Sequence, residues 1–392
     1  MFESILSCHQ QSYAQIVRAR LHEKNIIFIL TVLVTMVYTL SLDIVPGVTE
    51  TKKSAPKPPL KFRKTRHMEN ISIFKILQLA DLHFGENQWM DWGPQQDQKS
   101  IEAIQYFLQA EKPDLVILSG DQITGLNVDA NATSYYEQII ESMLQVDENI
   151  KWATIFGNHD DESYSRTFVN GTTFHHQAKT SRKDLIDFDM GYVGSYTLQG
   201  EVPSGLFGTS NYMLSLFSFD MTKHAANIYF FDSGGGSLPE MNGQNQVEWF
   251  QSKQRVAPNG ETPSIAFQHI PTPNEVFQFR EDCIGHTYEG VDPVVNDSGL
   301  LEALSASGNM RFFAVGHNHG NDYCCPTESN LFSICYGRHS GYGGYNTIKG
   351  DGNTWSKGTR VYLLQINQEG IFSWFSYVRM KNGHVTDVYK PL

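Results

Sequence analysis

Five short polar segments of this 392-residue chain carry side chains that bind metal ions: Asp81-Leu82-His83, Gly120-Asp121, Gly157-Asn158-His159-Asp160, His269 and Gly316-His317-Asn318-His319. Two carboxylates (Asp81, Asp121), one Asn carbonyl (Asn158) and four imidazoles (His83, His269, His317, His319) form a mixed oxygen and nitrogen set. Such a set suits Fe, Mn or Zn rather than Ca or Mg alone. A structural zinc site is closed by four tetrahedral ligands, usually cysteines and histidines at short spacing, and these donors are too many and too dispersed for one ion. Two adjacent ions are expected, divalent or of mixed valence. Bridged by a carboxylate at roughly 3.5–4 Å, such a pair activates a hydroxide and clamps the oxygens of a phosphoryl group during in-line displacement. The expected chemistry is phosphoester hydrolysis.

The elements that must bring these segments together are legible in the flanking residues. Each segment follows an apolar run that reads as a strand: Ile76 to Leu79, Leu115 to Leu118, Trp152 to Phe156, Ile265 to Phe267 and Phe312 to Val315. The polar residues therefore sit at the carboxyl ends of strands, where open α/β sheets form their sites. Between the first two runs, Ile101, Ile104, Phe107 and Leu108 recur at helical spacing and stop at Lys112-Pro113, which makes a β-α-β unit. A second amphipathic segment around Tyr136, Ile139, Ile140 and Met143 precedes the strand that delivers Asn158. The second half is richer in strands, with runs at Tyr212 to Phe217, Ile228 to Asp232, Arg360 to Ile366 and Ile371 to Val378.

The order D-x-H, G-D, G-N-H-D, a lone His after a strand and G-H-x-H resembles the calcineurin-like metallophosphoesterase superfamily, from Phe74 to the C-terminus. The phrases LQLADLHF, EKPDLVILSGDQITG, IFGNHDDES, NIYFFDSGG, QHIPTPN, AVGHNHGNDYC and CYGRHSGYGGY resemble its purple-acid-phosphatase-like branch, found in plants, fungi and other eukaryotes. The resemblance implies an α/β fold with a two-sheet β-sandwich core flanked by helices. It also implies a first metal on Asp81, His83, Asp121 and His319, and a second on Asp121, Asn158, His269 and His317, so that Asp121 bridges. His159 would contact the substrate and protonate the leaving oxygen, oriented by Asp160. One departure stands out. Where true purple acid phosphatases have an iron-binding Tyr three residues after the bridging Asp, this chain has Thr124, so a colourless enzyme is expected, with His83 filling the gap.

The Gly-rich segment Cys335 to Gly344 offers Arg338, whose fork matches phosphate oxygens, as a substrate-binding residue. His175, His176 and His286 read as loop residues, Glu86 and Asn87 as loop surface, and Asp232-Ser233-Gly234-Gly235-Gly236 as a turn.

Before the catalytic domain, placed at 71–392, the uncharged 17-residue run 26–42 reads as a transmembrane signal anchor. Residues 1–25 then form a cytosolic tail, and 43–70, rich in Pro and Lys, a semi-rigid stalk. Cleavage near Thr39-Leu40-Ser41, releasing a secreted enzyme, is the alternative. Both place the domain in the secretory lumen or outside the cell, and the sequons at Asn70, Asn131, Asn170 and Asn296 are candidate glycosylation sites there. In that compartment Cys283, Cys324, Cys325 and Cys335 allow two disulfides. The resemblance implies the pair Cys324 and Cys335, which leaves Cys283 for Cys325.

Lys and Arg number 10 against 5 Asp and Glu through residue 70, and 20 against 37 beyond it. The catalytic part is thus strongly acidic, which argues against nucleic acid as a partner. Three functions remain: a phosphomonoesterase acting on phosphoproteins or small phosphate esters, a phosphodiesterase on the same site, and a non-catalytic membrane-anchored binding protein.

Overall fold

Along the strand Met68–Leu79, successive apolar side chains are buried on both faces: Phe74 and Ile76 on one, Leu77 and Leu79 on the other. A strand with two apolar faces must lie between two other layers. The structure, a computed structural model, describes residues 57–391 apart from 66–67, 129–130, 168–170, 177, 200–204, 257–261, 274–276, 328–331 and 346–355. The tail, the apolar run 26–42, most of the stalk and Asn170 lie outside the described residues. Among the described residues no helix is long and apolar enough to cross a membrane.

Two seven-stranded sheets form the middle of the fold. In the first, Val385–Tyr389, Phe372–Met380, Gly358–Asn367, Met68–Leu79, Leu115–Ser119 and Trp152–Ile155 lie side by side in that order, with Arg63–Thr65 also on Met68–Leu79. The last three run parallel, as the β-α-β unit requires. The second sheet runs Leu60–Lys61, Tyr212–Phe217, His224–Phe230, Ser264–Phe267, Met310–Val315, Ser333–Tyr336 and Cys324–Pro326, and its four strands from His224–Phe230 to Ser333–Tyr336 are parallel. Phe74, Ile76, Leu115 and Ile117 from one sheet meet Leu214, Ile228, Phe230, Phe267 and Phe312 from the other in the central core.

Helices cover the two outer faces. Gly93–Glu111, Ala132–Leu144 and Arg182–Met190 bury Ile104, Phe107, Tyr136, Ile139, Ile140 and Leu185 against the first sheet. Gln244–Val256 and Leu300–Ala306 pack on the second, with Phe250, Leu300 and Leu304 buried there. The Gly93–Glu111 helix stops where Lys112 turns left-handed, ahead of Pro113. This is the expected two-sheet α/β sandwich with flanking helices.

One boundary differs from the sequence reading. The stretch taken as stalk up to residue 70 contributes strands to both sheets, and Leu60 and Phe62 are buried in the central core. Two apolar residues at strand spacing inside a Lys-rich run suffice to dock it. Two disulfides, Cys324–Cys335 and Cys283–Cys325, close the far edge of the second sheet, the first joining directly paired neighbours of adjacent strands.

Candidate metal centre

The parallel strands Met68–Leu79, Leu115–Ser119 and Trp152–Ile155 release Asp81 and His83, Asp121, and Asn158 at their carboxyl ends. Across the sandwich, Ser264–Phe267 and Met310–Val315 release His269, His317 and His319. All seven converge. Asp81, His83 and His319 present donor atoms within 4.8 Å of one another, and so do Asp121, His269 and His317. The Oδ2 of Asp121 lies between the two groups, 3.1 Å from His269 Nε2 and 3.7 Å from His83 Nε2. Asn158 Oδ1 completes the second group at 2.9 Å from His317 Nδ1 and 3.2 Å from His269 Nε2.

The backbone is bent to reach this arrangement. Asp81, His83, Asp121 and His317 all adopt positive φ, of 57°, 50°, 53° and 72°. Non-glycine residues seldom do so, and they persist there only where the surroundings over-determine them. Gly120 makes the crowding possible: at φ +103° it lies so close to His269 that a Cβ would fall within the imidazole.

The donor chemistry fits a pair of cations. Asp81 Oδ2 is buried without a hydrogen-bond partner, and its carboxyl is pushed up to about 7, first by burial. His83 Nε2 and His319 Nε2 face each other at 3.1 Å. Burial holds His83 down to about 3, His317 to about 4 and His319 well below the ordinary range, so these rings are neutral with lone pairs to offer. Burial works against ionisation of Asp121 too, yet His269 and His159 beside it hold its carboxyl well below the usual value. His269, conversely, rises to about 9 despite burial because Asp121 faces it. His269 would have to give up that proton to hold a cation.

Thr124, at the position of the missing Tyr, lies 3.3 Å by its Oγ1 from His83 Nδ1, so its hydroxyl orients that ring. The Gly-rich segment approaches a ligand loop rather than a substrate: side chains at Gly341, Gly343 or Gly344 would strike Leu82, His83 or His319.

Two expected roles are corrected. Asp160 does not reach His159. Its buried carboxylate accepts the backbone N–H groups of Asp121, Gln122, Ile123 and Gly157 instead. The partner of His159 Nδ1 is Glu162 Oε2, at 2.7 Å. Arg338 is likewise turned inward: it is buried, its Nη1 lies 2.5 Å from Asp322 Oδ2, and its Nε donates to the Ser356 carbonyl. The buried Asp322 carboxylate, which belongs to neither donor group, is the stronger attractor. His286, read as a loop residue, joins Asp322 and Asp387 in a third cluster, one carboxylate of which Arg338 already neutralises. Asp232, read as a turn residue, pairs with buried Arg182, which also holds Asp161 and the carbonyls of Gly157 and Gly235 behind Asn158.

Sequence reasoning also missed Glu162 and Tyr345. The ring of Tyr345 stacks on His319 at 4.0 Å and 8°, and its hydroxyl donates to Glu289. For Glu162 a signal was present, since it follows His159 by three residues within one turn.

A cluster of metal-binding side chains built across the strand ends of a two-sheet sandwich defines a class of protein, and comparison with known proteins names it. The model of the calcineurin-like phosphoesterase family matches residues 74–321, and the chain belongs to that family. It is similar to the probable inactive purple acid phosphatase 29 of Arabidopsis thaliana, with 29% identity over 80% of this chain and 82% of that protein. It is also similar to the phosphatase DCR2 of Saccharomyces cerevisiae, with 31% identity over 77% of this chain and 53% of that protein. Among solved structures, a purple acid phosphatase from yellow lupin aligns over 81% of this chain and 53% of its own, with a TM-score of 0.49 and 12% identity.

Proposed function

We propose that the chain is an active phosphatase that uses two metal ions, of Fe, Mn or Zn, to hydrolyse phosphomonoesters. The observation that carries this reading is the position of Asp121 Oδ2 between two groups of converging donors, one containing a buried carboxylate oxygen with no partner. Asp81, His83 and His319 would hold one ion, Asn158, His269 and His317 the other, and Asp121 both. Bound there, the pair would polarise a water and neutralise the charge on the phosphoryl oxygens. His159 stands edge-on to His83 with ring centroids 5.0 Å apart, and its side chain is 36% exposed, against 3% for His83. This exposure favours His159 as the histidine that meets a substrate.

The Arabidopsis relative is named inactive and the yeast relative a phosphatase. The full donor set here favours the second comparison. The two disulfides favour a catalytic domain outside the cytosol. Thr124 in place of a phenolate favours a colourless protein even when loaded with iron.

The test is metal content and hydrolysis of an aryl phosphate by the full chain, wild type against Asp121→Asn. Two ions per wild-type chain, with metal and turnover lost together in the variant, support the reading. A metal-loaded chain that turns over no monoester overturns it. Faster turnover of diesters would assign the site to a phosphodiesterase, and inertness toward both classes would leave the binding-protein reading. An intense visible band in iron-loaded protein would contradict the colourless expectation.

A further inference from the structure

We propose that Glu162 is the positioning residue that holds His159 as proton donor to the leaving oxygen, an inference that rests on the phosphatase reading above.

The geometry separates His159 from the other site histidines. Its main chain is fixed on both sides: its N–H donates to Asp121 Oδ1 at 2.8 Å, and its carbonyl accepts the N–H of Gly125 at 2.8 Å. Its ring belongs to neither donor group. Nδ1 is taken by Glu162 Oε2 at 2.7 Å, within the range of a charge-assisted hydrogen bond. The ring's Nε2 has no hydrogen-bond partner among the described residues. A carboxylate on one imidazole nitrogen fixes the ring's orientation and keeps a proton on that nitrogen, which leaves the other as the working atom. Asp160 cannot take this part, since both of its oxygens already accept backbone N–H groups.

Water oxygen forms the new P–O bond while the bond from phosphorus to the ester oxygen breaks. The electron pair stays on the ester oxygen, which takes the proton from His159 Nε2 and leaves as the alcohol. The imidazole is left neutral, with its Nδ1–H still on Glu162. The attacking water releases a proton to solvent, and His159 takes one back before the next turnover.

Help from a proton donor matters in proportion to how poor the leaving group is. The full metal-loaded chain is therefore assayed on 4-nitrophenyl phosphate, whose leaving group needs little protonation, and on glycerol phosphate, whose alkoxide needs it fully. Glu162→Ala should lower kcat on glycerol phosphate by about a hundredfold, the usual scale of general-acid help, and on the nitrophenyl ester far less. Glu162→Gln, which keeps an acceptor, should recover part of the loss. In combination with His159→Gln, Glu162→Ala should add nothing further, because the two residues act as one unit. Two ions should remain bound in every variant. Outside catalysis, the hydrogen-bonded Nδ1–H proton resonance of His159 in histidine-labelled protein should vanish in Glu162→Ala.

Equal losses on the two esters, losses that multiply in the double variant, or loss of metal in Glu162→Ala would each overturn the inference while leaving the phosphatase reading intact. A metal-loaded wild type that hydrolyses neither ester would overturn both.

Discussion

Asp160 grips Asp121 by its backbone: the Asp160 carboxylate accepts the N–H of Asp121 at 3.0 Å, of Gln122 at 2.8 Å, of Ile123 at 3.1 Å and of Gly157 at 2.7 Å. One side chain thereby ties the loop that presents Asp121 to the loop that presents Asn158.

The Asp160→Asn variant puts an amide donor where a carboxylate oxygen now accepts, opposite buried N–H groups. Stranding such groups costs about 1–3 kcal/mol each. We expect a loss of stability of about 3 kcal/mol in urea unfolding, accompanied by fewer than two metal ions per chain. Full metal content in a destabilised variant would show that the ligand loops hold their shape without this carboxylate.

Arg182 supports the same loops from behind. It is buried between Asp161 and Asp232, at 3.0 Å and 2.5 Å, and donates to the carbonyls of Gly157 and Gly235 at 2.7 Å and 3.0 Å. Arg182→Met would leave two buried carboxylates without their cation, a change that costs about 3–5 kcal/mol. Arg182→Lys should recover little, because one ammonium cannot span two carboxylates and two carbonyls. Denaturant midpoints of the two variants check this, and wild-type stability in Arg182→Lys would show that charge alone suffices.

What the sequence disclosed and what it hid follow one physical distinction. Asp81, His83, Asp121, Asn158, His269, His317 and His319 were legible because each follows an apolar strand, and strand ends of parallel sheets converge. The helices Gly93–Glu111 and Ala132–Leu144 were legible from their spacing. Pairings chosen among nearby polar groups were not. Spacing put both Asp160 and Glu162 within reach of His159 without choosing between them, and nothing local told that Arg338 answers Asp322 sixteen residues away. The docking of Leu60 and Phe62 was hidden for a similar reason, since their partners lie in distant strands and the Lys and Pro around them read as a solvated stalk.

Asp97 gives the fold a pH dependence that is separate from the metal ligands. It is 5% exposed, it accepts the Gly85 N–H and the Gln88 amide, and burial pushes its carboxyl up to about 7. In the unfolded chain the same group titrates near 4. Between those values the folded chain binds more protons than the unfolded one, so stability falls as pH rises from about 4 to 7. The slope from one proton is at most about 1.4 kcal/mol per pH unit. Asp97→Asn, which keeps an acceptor toward Gly85, removes this term. Its Tm relative to wild type should therefore climb as pH is raised from 4.5 to 7.5, and a Tm difference independent of pH would show that Asp97 is ionised in the fold at both ends of the range.

Arg338 separates a structural arginine from a substrate clamp. Its guanidinium faces a fully buried Asp322 at 2.5 Å and is itself 3% exposed. Arg338→Ala should therefore cost about 3 kcal/mol by removing the cation paired with the buried Asp322, which keeps only the hydrogen bonds from His286 on its other oxygen, and Tm should fall by several degrees. At a temperature where the variant stays folded, KM for an aryl phosphate should remain within about twofold of wild type, since no phosphate contact has been removed. The double variant Arg338→Ala with Asp322→Ala should regain part of the stability, because the buried charge is gone although the hydrogen bonds from His286 go with it. A KM that rises tenfold or more with Tm unchanged would instead return Arg338 to the substrate and require the Asp322 pairing to open when phosphate binds.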